Sequence, residues 1–402
     1  MSLLSKPKKV GGTLQRQNIS LILLLLNLFI AFLGIGLVIP VLPSVMNELH
    51  LSGTMVGYLV AAFALTQLLV SPIAGQWVDK YGRKRMIIIG LIIFSFSELL
   101  FGLGKVVEML FISRLLGGVS AAFIMPAVTA FIADITTLQT RAKAMGYMSA
   151  AISTGFIIGP GIGGFLAEFG SRIPFFAAAI VALIAAIISF FYLQEPIRYK
   201  KALIKEKTSG LRRVFNPLYF IAFIIIFIAS LGLAAFDSLF SLFVDHKFGF
   251  TPKDIAIIIT GGGLVGAIAQ VVLFDSLTKR IGEIKLIRYA FVFSAILVMI
   301  TTMVQAYVSI LLATIFIFVG FDLMRPAVTS YLSKVAGNEQ GFVSGMNSTF
   351  TSLGNVFGPI AGGFLFDINL NYPFYFAVIA LIIGIVLTLF WKPVPFDMQI
   401  EE

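Results

Sequence analysis

The sequence has few charged residues and no cysteine. Only 12% of its 402 residues are charged and 59% are hydrophobic, whereas soluble domains average about 25% charged residues. A water-soluble globular protein is therefore excluded, because its core could not bury so much apolar surface. The lack of cysteine excludes disulfides and thiolate metal sites. The two histidines, His50 and His246, are far apart in sequence, so we predict no zinc site.

What the sequence contains instead is long apolar runs. They are nearly uncharged and compatible with helix, which is the structure that a bilayer requires of a spanning segment. We predict an all-α membrane protein with twelve transmembrane helices. The predicted spans are 20–42, 53–76, 86–105, 108–133, 143–168, 174–194, 217–243, 254–275, 285–304, 308–333, 342–366 and 373–391. The first run is too long for a cleavable signal peptide, so we expect it to be the first span.

The formal net charge of +10 is unevenly distributed. With the amino terminus inside, nearly all lysines and arginines fall in cytoplasmic loops and tails, and the outer loops contain only Lys105, Arg172, Lys247 and Lys253. This bias predicts a multi-pass protein of the cell membrane with both termini in the cytoplasm. The basic loop 195–216 follows the same rule as a linker at the membrane surface, so we expect no nucleic-acid binding.

The two halves of the chain repeat each other. Met-Pro-Ala-Val-Thr at 125–129 recurs as Arg-Pro-Ala-Val-Thr at 325–329, and the glycine-rich pattern at 155–166 recurs at 354–365. We predict two pseudo-symmetric six-helix bundles, an arrangement typical of transporters that rock about a central site. The predicted parts are a cytoplasmic tail 1–19, a bundle 20–194, the linker 195–216, a bundle 217–391 and a cytoplasmic tail 392–402.

Motifs of enzymes and nucleotide-binding sites are missing. Gly104 and Lys105 are followed by Val106 rather than by serine or threonine, and no Gly-x-Ser-x-Gly elbow is present. Short loops also leave no room for a soluble catalytic domain. We therefore predict a protein that is not an enzyme and needs no cofactor, so that any pumping draws on an ion gradient such as that of protons.

Two motifs have both a structural and a functional interpretation. Gly159 lies in a stripe of glycines on one helix face, which allows close helix packing, and Pro160 removes a backbone hydrogen bond. These residues either pack helices or act in gating. Between the second and third spans, Gly82 permits a tight turn, and a basic cluster can contact helix ends or an acid. That loop is either a positive-inside anchor or a gating element; its candidate gating residues are Asp79, Gly82, Arg83 and Arg85.

Five acidic or basic residues lie deep inside predicted spans, at least six residues from either end, where burial is costly. Glu98 and Arg114 lie at similar depth on either side of a short hairpin. They form either a structural ion pair or, in the case of Arg114, part of a proton-coupling route. Asp322 and Arg325 are spaced to neutralise each other on one helix face. If they do not, Asp322 is free for another role.

Asp237 has no such partner nearby in the sequence. Its neighbours Phe236 and Phe240 make its surroundings aromatic and apolar. An ionised carboxylate is costly there, so it is suited to bind either a proton or a lipophilic cation, which aromatic faces also attract. Phe318, one turn before Asp322, repeats this arrangement in the tenth span.

Several motifs resemble those of the major facilitator superfamily. The loop 75–85 matches its helix 2–3 motif, except that Trp77 replaces the usual small aliphatic residue. Residues 110–122 resemble the helix-four motif whose arginine is linked to proton transfer, with Gly117 in place of the usual glutamine. Residues 155–164 match the helix-five motif associated with antiporters.

The stretches 32–40 and 320–326 are similar to those of twelve-helix drug:proton antiporters of the NorA and Bmr type. This resemblance, over residues 20–391, implies the major facilitator fold and export of diverse hydrophobic drugs in exchange for protons by alternating access. It implies proton and substrate binding by Asp237 and Asp322, although the first is glutamate in some relatives. The other pocket positions that it implies are Phe32, Gln67, Met125, Phe156, Phe318 and Asn347.

The expected partners are lipophilic cationic and zwitterionic drugs or dyes, protons and membrane lipids, and we expect a monomer. Three alternatives stay open. The first is a proton-coupled exporter of a single metabolite, which predicts more polar groups in the cavity. The second is a proton-coupled importer. The third is a membrane receptor or enzyme, against which the lack of soluble domains and catalytic motifs argues.

Overall fold

The computed structural model describes residues 10–196, 214–336 and 339–391. Within these ranges the chain forms long α-helices and no β-strand, which confirms the all-α prediction. Residues 1–9, the predicted carboxy-terminal tail 392–402 and most of the predicted linker lie outside the described residues. Residues 10–19, predicted as part of the cytoplasmic tail, instead form the start of the first helix. The helices are α1 (Val10–Val38), α2 (Gly53–Tyr81), α3 (Arg83–Leu103), α4 (Val107–Ile135), α5 (Leu138–Ala167), α6 (Ile173–Tyr192), α7 (Pro217–Phe248), α8 (Pro252–Ile281), α9 (Glu283–Met303), α10 (Tyr307–Val335), α11 (Gln340–Ile368) and α12 (Tyr372–Phe390).

The first span is interrupted near its outer end. α1 continues through a 3-10 turn at Ile39–Val41 into a short helix at Leu42–Glu48. Pro40 and Pro43 lie within this segment, and each lacks the backbone donor that a continuous helix needs. The first span therefore ends later than the predicted residue 42, at Glu48, and is not a single uninterrupted α-helix.

Eleven of the described helices are long and apolar enough to cross a membrane. The exception is α11, whose first half is rich in polar residues such as Ser344, Asn347 and Thr351. This helix packs against α2 and α7 rather than standing at the periphery. Its polar residues therefore lower its hydropathy without requiring that they face lipid.

Several helices extend beyond the predicted spans at one end of the molecule. We call this the inner end, and the end at which α2 begins the outer end, following the predicted orientation. α2 and α8 continue to Tyr81 and Ile281 and stop at Gly82 and Gly282, whose φ angles are 112° and 79°. The apolar runs stop at the membrane surface, whereas the helices continue until a glycine reverses the backbone.

The helices of the two halves pair in the same way. In the first half α1 packs on α5 and α6, α2 on α4, and α3 on α4 and α6. In the second half α7 packs on α11 and α12, α8 on α10, and α9 on α10 and α12. The main contacts between the halves are those of α2 with α11 and of α5 with α8.

The contacts between the halves concentrate at the outer end. Gly57 of α2 lies against the backbone of Pro359 in α11, and Gly164 of α5 lies against Ala256 in α8. Nearer the inner end, α5 and α11 have glycines at Gly146 and Gly345, and a Cβ built on either would have no atom within 4 Å. The space between the halves is therefore closed at the outer end and widens towards the inner end.

Candidate functional site

Two acids lie near the middle of adjoining helices in the second half. Asp237 of α7 and Asp322 of α10 are both half-buried, and in the described ranges neither makes a hydrogen bond or an ion pair. The residues that precede them, Phe236 and Phe321, have ring centroids 6.2 Å apart. The two acids therefore lie at the same depth, between helices that are in contact through aromatic rings.

Arg325 and Asp322 do not form a direct ion pair in the described structure. Although the two are three residues apart on α10, no ion pair within 4.0 Å joins them in the part of the chain described, and Arg325 is exposed. An exposed guanidinium in the middle of a spanning helix requires a water-filled space, because contact with lipid would be costly. We conclude that this face of α10 borders the space between the halves.

The carboxylate of Asp322 lies against the backbone of α8. A Cβ atom built on Gly266 would overlap Oδ2 of Asp322, and one built on Gly262 would overlap the ring of Phe318. We call Gly262 and Gly266 the α8 glycine face. This face was not predicted from the sequence, although the sequence contains three consecutive glycines at 261–263 and a further glycine, Gly266, one helical turn after Gly262.

Aromatic residues of the first half approach the same region through α5. The rings of Phe32 and Phe156 are 4.9 Å apart, and Phe32 and Met125 line a small cavity between α1, α2, α3 and α4. Ile157, next to Phe156, contacts α8, because its Cγ1 lies 3.1 Å from where a Cβ of Gly263 would stand. The α5–α8 contact thus brings the helix of Phe156 to the glycine face.

Two predicted pocket residues are not joined to the acids by any contact that the structure shows. Gln67 of α2 is half-buried, and its backbone nitrogen lies 3.0 Å from where a Cβ of Gly118 would stand. Asn347 of α11 is half-buried and keeps its side-chain Oδ1 buried without a hydrogen-bond partner. Both lie on helices that contact the other half, α2 and α11.

Glu98 and Arg114 form an ion pair inside the first half. Arg114 Nη2 donates to Glu98 Oε1 at 3.2 Å, and the two side chains are only 13% and 2% exposed. The guanidinium also lies 4.4 Å from the ring centroid of Phe101. The pair is therefore formed, as the structural interpretation predicts, and among the described residues no hydrogen bond or ion pair connects it to Asp237 or Asp322.

At the inner end, Arg83 connects three elements. Its side chain forms ion pairs of 2.9 Å with Asp79 and with Asp134 at the end of α4. Glu195, which follows α6, accepts hydrogen bonds from the backbone N–H groups of Arg83 and Lys84 at 2.7 and 2.9 Å. We call Asp79, Arg83, Asp134 and Glu195 the Arg83 cluster. Its last two members were missed because they lie far from the loop in sequence.

The other predicted gating residues are placed differently. Gly82 has the left-handed φ of 112° that begins α3. Arg85 is exposed and makes no hydrogen bond or ion pair to other described residues, so it lies outside the Arg83 cluster. Gly159 and Pro160 both pack against Gly36 of α1, within the first half rather than between the halves.

At the outer end, acids connect the halves, and Asp367 and Glu168 do so at the starts of α2 and α8. Asp367 of α11 accepts hydrogen bonds from the backbone N–H groups of Gly53 and Thr54, at 2.6 and 2.9 Å, at the start of α2. Glu168, just after α5, forms an ion pair of 2.8 Å with Lys253 at the start of α8. Sequence analysis missed both contacts, although each acid follows a repeated Gly-Gly-Phe-Leu segment.

Comparison with known proteins places this geometry in a family. A family model described as the Major Facilitator Superfamily matches residues 24–345 and, in a second match, residues 222–401. The chain belongs to the Major Facilitator Superfamily. This match confirms the resemblance that the sequence motifs indicated.

Relatives in this superfamily include named resistance proteins. The chain is 70% identical over 380 residues to "Multidrug resistance protein 1" of Bacillus subtilis (strain 168), covering 94% of this chain and 98% of that protein. It is 44% identical over 376 residues to "Quinolone resistance protein NorA" of Staphylococcus aureus (strain MSSA476), covering 93% of this chain and 97% of that one.

Two solved transporter structures share the fold. The nucleoside transporter NupG superposes with a TM-score of 0.78 at 15% identity, covering 95% of this chain and 100% of that one. A bacterial homologue of the human lysosomal transporter Spinster, in an inward-facing and unoccupied conformation, gives 0.77 at 16% identity, covering 96% and 100%. At these identities the likeness supports the fold and not the cargo.

Proposed function

We propose that this protein exports structurally diverse hydrophobic, cationic and zwitterionic drugs across the cytoplasmic membrane in exchange for protons, by alternating access. The observation that carries the proposal is the pair of half-buried acids, Asp237 and Asp322, without hydrogen bond or ion pair in the described ranges. The names of the relatives, which refer to multidrug and quinolone resistance, support the drug range.

The physical basis of exchange is competition for one negative charge. A carboxylate in apolar surroundings is costly when ionised and unpaired, so it is stabilised by a bound proton or by a bound cation. The two occupants exclude each other, because either one removes the charge that attracts the other. Release of a drug cation outside would therefore be followed by proton uptake, and proton release inside would restore the binding charge.

The shape of the molecule supports alternating access. The halves are in contact at the outer end and separate towards the inner end, which corresponds to a state open to the cytoplasm if the termini are cytoplasmic. We propose that the two six-helix bundles, 20–194 and 217–391, move as units and that outward opening breaks the outer contacts of Glu168 and Asp367. The Arg83 cluster would hold α2, α3, α4 and the segment after α6 together during this motion.

The remaining predicted residues receive supporting roles. Phe32, Phe156 and Phe318 supply apolar and aromatic surface for drug binding, and Met125 adds a flexible and polarizable side chain. Gln67 and Asn347 would add polar contacts from α2 and α11. Arg114, paired with Glu98, would tune proton exchange indirectly, and Gly159 and Pro160 would fix α5 on α1 while α5 moves against α8.

Ethidium transport in proteoliposomes tests the proposal. Under an imposed pH gradient, we expect the protein to accumulate dye against the dye gradient, and we expect Asp237→Asn and Asp322→Asn to abolish accumulation. Asp275→Asn is the matched control, because Asp275 is an exposed inner-end acid that pairs with Lys279. Accumulation by both Asp237→Asn and Asp322→Asn at the parental level would show that the assignment of proton coupling is wrong.

The same vesicles separate the alternatives. Dye movement in the direction of proton flow would indicate a proton-coupled importer. Failure to move ethidium or tetraphenylphosphonium under either gradient would contradict multidrug export and favour a dedicated metabolite exporter. Equal dye movement with and without the gradient would show that protons do not drive the cycle.

A further inference from the structure

We infer that Gly266, supported by Gly262, is a positioning residue that sets where the carboxylate of Asp322 lies in the space between the halves. This inference rests on the proposed function, since it concerns the acid that we assign to proton and cation binding. It concerns a residue of α8, which carries no charge and which no motif of the sequence singled out.

The geometry shows how closely the two helices fit. Gly262 and Gly266 are one turn apart on α8, and they face Phe318 and Asp322, which are one turn apart on α10. A Cβ on Gly262 would overlap the ring of Phe318, and a Cβ on Gly266 would overlap Oδ2 of Asp322. Each side chain of α10 thus fills the space that a side chain of α8 would otherwise occupy.

In the equivalent helix pair of the first half, the small residue lies on the other helix. There the small residue is Gly118 on α4, which lies against Phe63 and Thr66 of α2, with Cβ of Thr66 2.8 Å from where a Cβ of Gly118 would stand. Gly118 and Phe318 are equivalent in the repeat, as are Thr66 and Gly266. Glycine on α8 is therefore not a general requirement of this helix pair, and it accompanies the aromatic ring and the acid on α10.

The consequence is a defined position for the charge. Oδ2 is at the far end of a side chain that rotates, so an added methyl at Gly266 would push the carboxylate away from α8 without moving the backbone. Moving a charge from about 4 to about 6 Å from its partner, at an effective dielectric constant of about 20, weakens cation binding about tenfold. We expect this effect for cationic ligands and not for neutral ones.

The test measures tetraphenylphosphonium binding to purified full-length protein across a pH series. We expect Gly266→Ala to raise the Kd about tenfold and to move the midpoint of the pH profile. Gly261→Ala is the matched control, since the nearest atom to its added Cβ is Cδ1 of Ile315 at 3.7 Å. This control should bind with parental affinity and with a parental pH midpoint.

An Asp322→Asn background separates positioning from general packing. If Gly266 acts through the carboxylate, the alanine should change neither the Kd nor the pH midpoint once Asp322 is replaced. An equal change in both backgrounds, or parental behaviour of Gly266→Ala, would overturn the inference. If instead Asp322→Asn itself leaves binding and its pH profile unchanged, the proposed function fails at this acid, and that result is distinct from the first.

Thermal unfolding covers the case in which Gly266→Ala folds poorly. Because the predicted overlap is with Asp322, the alanine should lower the Tm in the parent and leave it unchanged in an Asp322→Ala background. Loss of stability of equal size in both backgrounds would show that Gly266 is needed for helix packing alone, and the inference would be wrong.

Discussion

The two halves of the molecule use charge in opposite ways at equivalent positions. Arg83 at the start of α3 pairs with Asp134 at the end of α4. In the second half, Glu283 at the start of α9 pairs with Lys334 at the end of α10. The helices of the two pairs align residue for residue in the repeat. The contact between helix ends is therefore kept, while its polarity is reversed.

The order of charges in each pair is either favourable or unfavourable to the helix dipole. A negative charge at a helix start and a positive charge at a helix end agree with the helix dipole, as in the Glu283–Lys334 pair. Arg83 and Asp134 have the unfavourable order. The first half offsets this with a third residue, Glu195, which accepts both N–H groups at the start of α3. The first-half contact therefore depends on the segment after α6.

The membrane interior shows a second contrast. The first half contains the paired charges of Glu98 and Arg114, whose equivalents in the second half are the uncharged Val298 and Thr314. The second half contains the acids Asp237 and Asp322. One half buries a charge pair that neutralises itself, and the other contains two acids that make no hydrogen bond or ion pair among the described residues. In the proposed function, this difference makes the first half a scaffold and assigns proton binding to the second half.

The largest expected effect comes from breaking the buried pair. Glu98→Gln leaves the guanidinium of Arg114 without its counter-charge, and removing one partner of a buried pair costs about 3–5 kcal/mol. We expect a large loss of Tm in detergent. The double variant Glu98→Val, Arg114→Thr copies the second half and should recover at least half of that loss.

The double variant also tests the proposed tuning role of Arg114. If the pair is only structural, the recovered protein should accumulate ethidium at the parental rate. If Arg114 tunes proton exchange, the protein should fold and show altered pH dependence of transport. A double variant as unstable as Glu98→Gln would contradict the interpretation that the lost stability comes from an uncompensated charge.

Reversing the polarity of the inner contact should have an intermediate effect. Arg83→Glu places a like charge beside Asp79 and Asp134. It loses the contact with Asp134, worth about 1.5–3 kcal/mol as a hydrogen bond to a charged group, whereas the pair with the largely exposed Asp79 contributes only about 0–1 kcal/mol. Adding Asp134→Lys copies the second half and should restore stability measured by Tm. In this charge-reversed protein, Glu195→Gln should cost less than in the parent, because the helix start then has its own acid.

The effect of Glu195→Gln in the two backgrounds distinguishes two roles of Glu195. If Glu195→Gln is equally damaging in both backgrounds, Glu195 acts by holding the segment after α6 and not by compensating the helix dipole. Lys285→Gln, which removes a charge near the start of α9 without touching the Arg83 cluster, is a matched control for a change of net charge.

The smallest expected effect is at the outer end, where the halves again differ. Asp367 accepts hydrogen bonds at the start of α2, and loss of such a capping residue costs about 0.5–2 kcal/mol. Glu168 makes only an exposed ion pair. Asp367→Ala should therefore shift the protein towards an outward-open state more than Glu168→Ala does.

Thiol labelling measures this shift directly, because the natural chain has no cysteine. Ala256 is buried between the halves against Gly164, so Ala256→Cys should react with external maleimide only when the outer end opens. We expect faster labelling with Asp367→Ala than with Glu168→Ala. Equal labelling rates would show that the two outer contacts contribute equally, contrary to the geometry.

Some contacts of the site could be predicted from patterns within a short stretch of sequence, and others could not. Glu98 and Arg114 were predictable as a pair because a short hairpin fixes their relative depth. Of the two alternatives for Asp322 and Arg325, a direct ion pair is not formed in the described structure, because side chains three apart on a helix can still point to different surroundings. Asp134, Glu195 and Asp367 were missed, since each finds its partner on a helix distant in sequence.

The sequence by itself determined that the chain is helical and lies in a membrane, because lipid offers no hydrogen bonds to the backbone and apolar runs of this length have few alternatives. It also determined the repeat of the two halves, because the same motifs recur in each half. Only the tertiary structure decided which acids are left unpaired and which end is closed. Those features depend on how helices cross, and a crossing brings together side chains whose distance along the chain carries no information about their distance in space.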